Sequence, residues 1–149
     1  MNLKYMDLAI EQAKNAVKNG EVPVGCVIVK NDEVIASAYN MKETYMCAIK
    51  HAEIIAVEKA SKVLNNWRLD GCDVYVTLEP CPMCASALKQ ARVNNIFCGL
   101  SNSDENNIKI VHEILKSDKN NISVNLVNNL SVEKVKLLLQ AFFKNRRNS

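Results

Sequence analysis

Two short pieces of the chain make chemical sense only together: His51-Ala52-Glu53, and Pro80-Cys81-Pro82-Met83-Cys84 about thirty residues later. Two thiolates and one imidazole are the donor set of a catalytic zinc, which keeps its fourth position for water; a closed structural site needs a fourth protein ligand. Pro82 between the cysteines predicts a helix that opens there, because the missing N–H of a proline costs nothing at a first helical position. Cys81 and Cys84 then share one face of the first turn. The positive end of that helix also favours thiolate formation. Glu53 stands two residues beyond His51, so it flanks the metal instead of binding it, and a carboxylate beside a metal-activated water is suited to carrying protons. The spacing therefore predicts His51, Cys81 and Cys84 as ligands of one zinc ion and Glu53 as the general acid and base. A zinc knuckle gives no reason for Glu53, and a redox Cys-x-x-Cys pair gives none for His51.

The elements needed to position these residues can be read around them. Met6, Ala9, Ile10, Ala13, Ala16 and Val17 recur at helical spacing, and Gly20 stops the helix. Val22 to Val29 is apolar and β-branched, Asn31-Asp32 makes a turn, and Val34 to Tyr39 follows, which together read as a hairpin. Residues 40–50 form a loop that delivers His51 to a helix from Ala52 to about Val63, apolar on most sides. Asp73 to Thr77 reads as a strand that ends just before Glu79-Pro80, so the cysteines lie at the carboxyl end of a strand, where open α/β sheets place their sites. A helix from Pro82 to about Arg92, a strand at Asn95–Cys98, a loop at Asn102–Asn107, a helix carrying Ile108 to Leu115, a strand near Ser123–Val127 and a helix from about Ser131 complete the order αββαβαβαβα. That order implies a three-layer α/β/α sandwich around a mixed five-stranded sheet, built as one domain over residues 1–149.

Composition bounds the remaining possibilities. A chain of 149 residues is long enough to bury a real core. No apolar run reaches the eighteen or so residues of a membrane span, and Met1-Asn2-Leu3-Lys4 leads directly into an amphipathic pattern, so a cytoplasmic protein is expected. Cys26 and Cys98 lie in apolar runs as core residues; Cys47 and Cys72 have no role in the pattern. The net charge of +3 is unevenly spread: Ser131–Ser149 carries +4 and the remainder −1. The positive charge is thus a local feature of the C-terminus. His112, the only other histidine, reads as a surface residue, and Trp67 as a cover for the core edge. Phe142 continues the stripe of Val132, Val135, Leu138 and Leu139, which leaves the adjacent Phe143 to face elsewhere.

The pairing of H-x-E with P-C-x-x-C is the signature of zinc nucleobase deaminases, and the chain resembles the cytidine deaminase-like superfamily and, within it, the bacterial tRNA-specific adenosine deaminases. The resemblance extends through Glu21-Val22-Pro23-Val24-Gly25, Tyr39-Asn40, Asn66-Trp67-Arg68-Leu69, Val76-Thr77-Leu78-Glu79-Pro80 and Phe142-Phe143-Lys144-Asn145-Arg146-Arg147. It implies hydrolytic conversion of adenosine to inosine at the wobble position of a tRNA anticodon stem-loop, by a homodimer with one zinc per chain. It further implies that Asn40, the backbone of Ala52 and Leu78 hold the flipped base, that Asn102 lies near the ribose, and that Phe143 and Arg146 contact the RNA. Lys50 stands where that family has a small residue, and Asn102 where it has an acid. A free-base or nucleotide deaminase of guanine or cytosine type shares the metal motif, but has no need of the basic Phe-Phe-x-x-Arg-Arg tail. A zinc-stabilised RNA-binding module without catalysis would have no use for Glu53.

Overall fold

The structure is a computed structural model that describes residues 1–116 and 124–147. Its helices are α1 (Leu3–Lys18), α2 (Ala52–Leu64), α3 (Pro82–Gln90), α4 (Glu105–Lys116) and α5 (Val132–Arg147). Its strands are β1 (Gly25–Lys30), β2 (Glu33–Tyr39), β3 (Cys72–Leu78), β4 (Asn95–Leu100) and β5 (Asn125–Val127). They form one mixed sheet in the order β2-β1-β3-β4-β5. β1 runs antiparallel to β2 and β3, whereas β3, β4 and β5 are mutually parallel.

Side chains alternate across the sheet with the two-residue period of a strand. Cys26, Ile28, Val74, Val76, Ile96 and Cys98 join the core with Ala52, Ile55 and Ala56 of α2, Ala85 and Leu88 of α3, and Val111 and Leu115 of α4. Val27, Val29, Tyr75 and Phe97 point the other way, onto Met6, Ala9 and Ile10 of α1 and Val135 of α5. The result is the three-layer sandwich expected from the element order. α1 lies so close to β1 that a Cβ on Gly25 would fall inside contact distance of the Ala9 carbonyl and the Ala13 nitrogen. Glycine is required there by close approach.

Asn31 and Asp32 both have positive φ, 52° and 59°, the conformation that lets a two-residue hairpin turn match the strand twist. Several expected boundaries shift. Val22–Val24 does not pair: Pro23 has no N–H to offer a ladder, and the Val24 N–H closes a tight turn onto the Val22 carbonyl at 2.8 Å. α2 is one-sided rather than buried on most sides, with Val63 62% exposed. α4 begins at Glu105, inside the expected loop, after Asp104 Oδ1 accepts the N–H groups of Asn106 and Asn107. Within the expected last strand, Ser123 lies outside the described residues, and the strand itself starts at Asn125.

The antiparallel β1 brings four chain segments to one end of the sheet. β1 begins there, and β2, β3 and β4 all end there, since Gly25 pairs with Tyr39 and Leu78 with Leu100.

Candidate active site

His51 and Cys81 are the N-cap residues of α2 and α3, both in extended backbone conformation. Each starts its helix by accepting the first main-chain hydrogen bond, from Ile55 and Ala85 respectively. Neither side chain caps its own helix, so both project forward from the positive ends of two helix dipoles. Pro82 occupies the first turn of α3, and Cys84 follows on the same turn, wholly buried.

The His51 Nδ1 atom lies 3.8 Å from the Cys81 sulfur and 3.5 Å from that of Cys84. A tetrahedral zinc with ordinary bond lengths separates a nitrogen and a sulfur ligand by about 3.6 Å. All three donor atoms fall within 4.8 Å of one another, in the cluster that among the described residues could hold a metal ion. The charge state of the donors fits the same purpose. A hydrogen bond from the Cys84 thiol, opposed by burial and aided by His51, pulls the Cys81 thiol far down, to a pKa of about 4. Cys84 is driven upward, first by that same contact and then by burial. Without a cation only one of the two sulfurs ionises; a bound zinc would let both serve as thiolate ligands.

Glu53 lies in the first turn of α2 with 4% of its surface exposed. Burial is the main cause that raises its carboxyl to a pKa of about 7, with the neighbouring Cys81 adding to the rise against its own backbone hydrogen bond. Such a group can both take up and release a proton at neutral pH.

A cavity of about 250 Å³ opens over these residues, lined by Val22, Val24, Asn40, Lys42, His51, Ala52, Glu53, Leu78, Glu79, Cys81 and Asn102. It therefore gathers Asn40, Ala52, Leu78 and Asn102 beside Glu53, as the sequence reading expects of substrate contacts. Asn40 is almost buried, its N–H bonded to the Val24 carbonyl and its Oδ1 to the Lys42 N–H. Asn102 Oδ1 accepts the Asp104 N–H at 3.0 Å.

Phe143 and Arg146 do not line this cavity. Phe143 is 47% exposed on α5, edge-on to the buried Phe142. Arg146 lies over the Phe142 ring, and its charge reaches the Glu21 carboxylate. Lys50 turns outward, ion-paired with Glu58 at 3.1 Å. One other sequence expectation is corrected. Trp67 covers no core: it is 60% exposed, flanked by the guanidinium groups of Arg68 and Arg92 at 5.3 and 5.6 Å. His112 lies at the surface with 40% of its side chain exposed, and its Nε2 faces the buried Glu79 at 3.5 Å. Val22, Val24, Lys42 and Glu79 are pocket residues to which sequence reasoning gave no role, although Glu79 precedes the cysteines in the quoted motif.

Residues 1–100 match the family described as the cytidine and deoxycytidylate deaminase zinc-binding region. The chain belongs to this family of zinc-dependent deaminases. Among its relatives, the tRNA-specific adenosine deaminase of Bacillus subtilis (strain 168) is 40% identical over 143 residues, covering 96% of this chain and 89% of that protein. The tRNA-specific adenosine deaminase of Aquifex aeolicus (strain VF5) is 37% identical, covering 97% and 95%. A structure solved in work on A-to-I editing by tRNA:A34 deaminases superposes with a TM-score of 0.85 at 30% identity, covering 93% of this chain and all of the other. A guanine deaminase structure from Bacillus subtilis gives a TM-score of 0.68 at 32% identity, over 100% and 96%.

Proposed function

We propose that this chain, as one domain over its 149 residues, is a tRNA adenosine deaminase that converts adenosine to inosine at the anticodon wobble position, with release of ammonia. The observation that carries the reading is Glu53 buried beside the His51, Cys81 and Cys84 cluster at the floor of a base-sized cavity, in a chain 40% identical to a tRNA-specific adenosine deaminase. At about 250 Å³ the cavity is smaller than the roughly 300–1,000 Å³ of pockets that enclose drug-sized ligands. One base fits inside, and the rest of an RNA stays outside, as base flipping requires.

His51, Cys81 and Cys84 hold the zinc. When bound there, zinc supplies a water whose pKa falls from about 16 towards 7. Glu53 would take a proton from the attacking water and deliver it to N1 of the adenine, which would make C6 electrophilic. The same carboxylate would then collect the proton left on the hydroxyl added at C6 and pass it to the departing amine. Water adds its oxygen at C6 and the C6–N bond breaks, so adenosine and water yield inosine and ammonia. Asn40, the backbone of Ala52 and Leu78 hold the base over Glu53. Asn102 stands at the ribose side, and Phe143 and Arg146 meet the RNA outside the cavity.

Working as a homodimer is part of the same reading. Tyr45, Met46 and Ile49, 56, 92 and 52% exposed, form an apolar rim on the loop that also carries the pocket residue Lys42. No helix among the described residues is long and apolar enough to cross a membrane, and a tRNA substrate places the enzyme in the cytoplasm.

The guanine deaminase likeness supports a second reading, deamination of a free purine base. One experiment separates the two. Purified protein is incubated in parallel with an anticodon stem-loop bearing adenosine at the wobble position and with free guanine and adenine, followed by nucleoside and base analysis. Inosine in the RNA supports the first reading; xanthine or hypoxanthine with unaltered RNA overturns it.

A further inference from the structure

Glu79 has 2% of its surface exposed and takes no part in the chemistry above, yet three separate segments converge on its carboxylate. Oε2 accepts the backbone N–H of Asn102 at 2.9 Å, at the end of β4. Oε1 accepts Asn128 Nδ2 at 3.1 Å, from the connection between β5 and α5. His112 Nε2, from α4, stands 3.5 Å from Oε1 without hydrogen-bonding to it. The Glu79 N–H meanwhile donates to the Leu100 carbonyl at 2.8 Å, extending the β3–β4 ladder by one bond beyond the strand ends. The backbone of Glu79 is therefore fixed, and the carboxylate reaches across to a loop that has no ladder of its own.

We propose that Glu79 is a positioning residue, held by Asn128, that pins the Asn102 backbone and so sets the wall of the cavity facing the nucleotide's sugar. The neighbouring Ser101 N–H is held by Asn129 Oδ1 at 3.0 Å and the Asn102 side-chain oxygen serves Asp104, two residues on, so Glu79 is the acceptor for the Asn102 N–H itself. Burial makes the pin strong, because a charged acceptor bonded in a water-poor site is worth more than a neutral one in water. The partner set also contains a spare element. Asn128 Oδ1 is buried without a hydrogen-bond partner among the described residues. A half-turn of the Asn128 amide would offer that oxygen to a glutamine at position 79, whose own oxygen could still accept from Asn102.

The inference rests on the RNA deaminase reading for its kinetic arm only. Glu79→Ala, Glu79→Gln and Asn128→Ala are compared with the wild type by zinc content, by amide hydrogen exchange at residues 101–104, and by kcat and KM on the stem-loop RNA. Exchange at Asn102 is expected to speed by about tenfold or more in Glu79→Ala, the scale of a lost hydrogen bond to a charged group, with zinc retained. KM should rise by a similar factor while kcat changes less. Glu79→Gln should stay within about threefold of the wild type in both, because it retains the acceptor. Should Glu79→Ala lose its fold or zinc, Asn128→Ala carries the test, since it removes a holder without touching β3; faster exchange at Asn102 upholds the pin. Unchanged exchange at Asn102, or a fall in kcat alone, overturns it. If wild-type protein leaves the RNA untouched, the functional reading has failed, but the exchange measurement still decides the pin.

Discussion

Glu21 and Thr44 meet through a single oxygen: Oε2 of the fully buried Glu21 accepts both the backbone N–H and the hydroxyl of Thr44, each at 2.7 Å. Oε1 accepts the Glu43 N–H at 3.0 Å. This clamp ties the entry to β1 to the loop after β2, and thus secures the Val22 and Lys42 sides of the cavity. Burial alone would push the carboxyl upward, but the Thr44 and Glu43 bonds, with Arg146 nearby, outweigh it and hold the pKa below the ordinary value.

The sign of the pH dependence follows. A carboxylate whose pKa is lowered by folding stabilises the folded state above its unfolded value and loses that contribution as pH falls through the folded value. The clamp should therefore be intact at neutral pH and weaken from about pH 4.5 downward. Glu21→Gln should lower stability at pH 7 by about 1–3 kcal/mol, since an amide group would face three donors with one acceptor. Its denaturant midpoint should also fall less steeply on acidification than that of the wild type. Parallel acid limbs for the two proteins would show that Glu21 does not titrate as described.

The metal and the proton carrier should separate cleanly in mutants. Cys84→Ser should lose stoichiometric zinc, because a neutral hydroxyl replaces a thiolate ligand. Glu53→Gln should keep the zinc and the fold while the rate falls by about 10²–10⁴, the usual worth of a general acid and base. Elemental analysis beside single-turnover assays checks both. A fully active protein without metal would overturn the mechanism, and loss of zinc in Glu53→Gln would make that carboxylate a ligand.

Of the glycines, Gly25 lies tightest against a neighbouring backbone. Its substitution by alanine forces α1 away from β1, because the added carbon meets main-chain atoms of Ala9 and Ala13 that no rotamer change can move. We expect a cost of about 3 kcal/mol or more, at the upper end of overpacking. Urea denaturation of Gly25→Ala against the wild type measures it; a loss below about 1 kcal/mol would mean that α1 adjusts freely.

What was legible in the sequence is what depends on short spacing. His51 and Glu53 share a helix start, Cys81 and Cys84 share another, and Pro82 marks the second, so local rules place all four. The three-layer architecture follows from the alternation of strands and helices, whereas the strand order β2-β1-β3-β4-β5 comes from the structure. The clamps were not legible, because they depend on pairs such as Glu21 with Thr44 and Glu79 with Asn102, each 23 residues apart, whose types have no pattern between them. The approach of His112 to Glu79 was hidden for the same reason, although its surface position was read correctly. Trp67 was misread because an aromatic residue in a connector signals burial, whereas here two guanidinium groups flank its exposed ring.

The last prediction concerns the C-terminal helix, whose basic residues lie outside the cavity. Lys144 and Arg146 are exposed on the last turns of α5. If this end meets the RNA backbone, each phosphate contact contributes about 0.7–0.9 to the slope of log affinity against log salt. Replacing both residues by alanine should therefore flatten the slope by about 1.4–1.8. Affinity for the stem-loop should drop most at low salt, with the zinc content unchanged. The rate on bound substrate should change little, because neither side chain reaches Glu53. Binding isotherms between about 50 and 200 mM salt resolve such a difference. An unaltered slope would mean that the positive end of α5 is a solvated surface and that other residues hold the RNA.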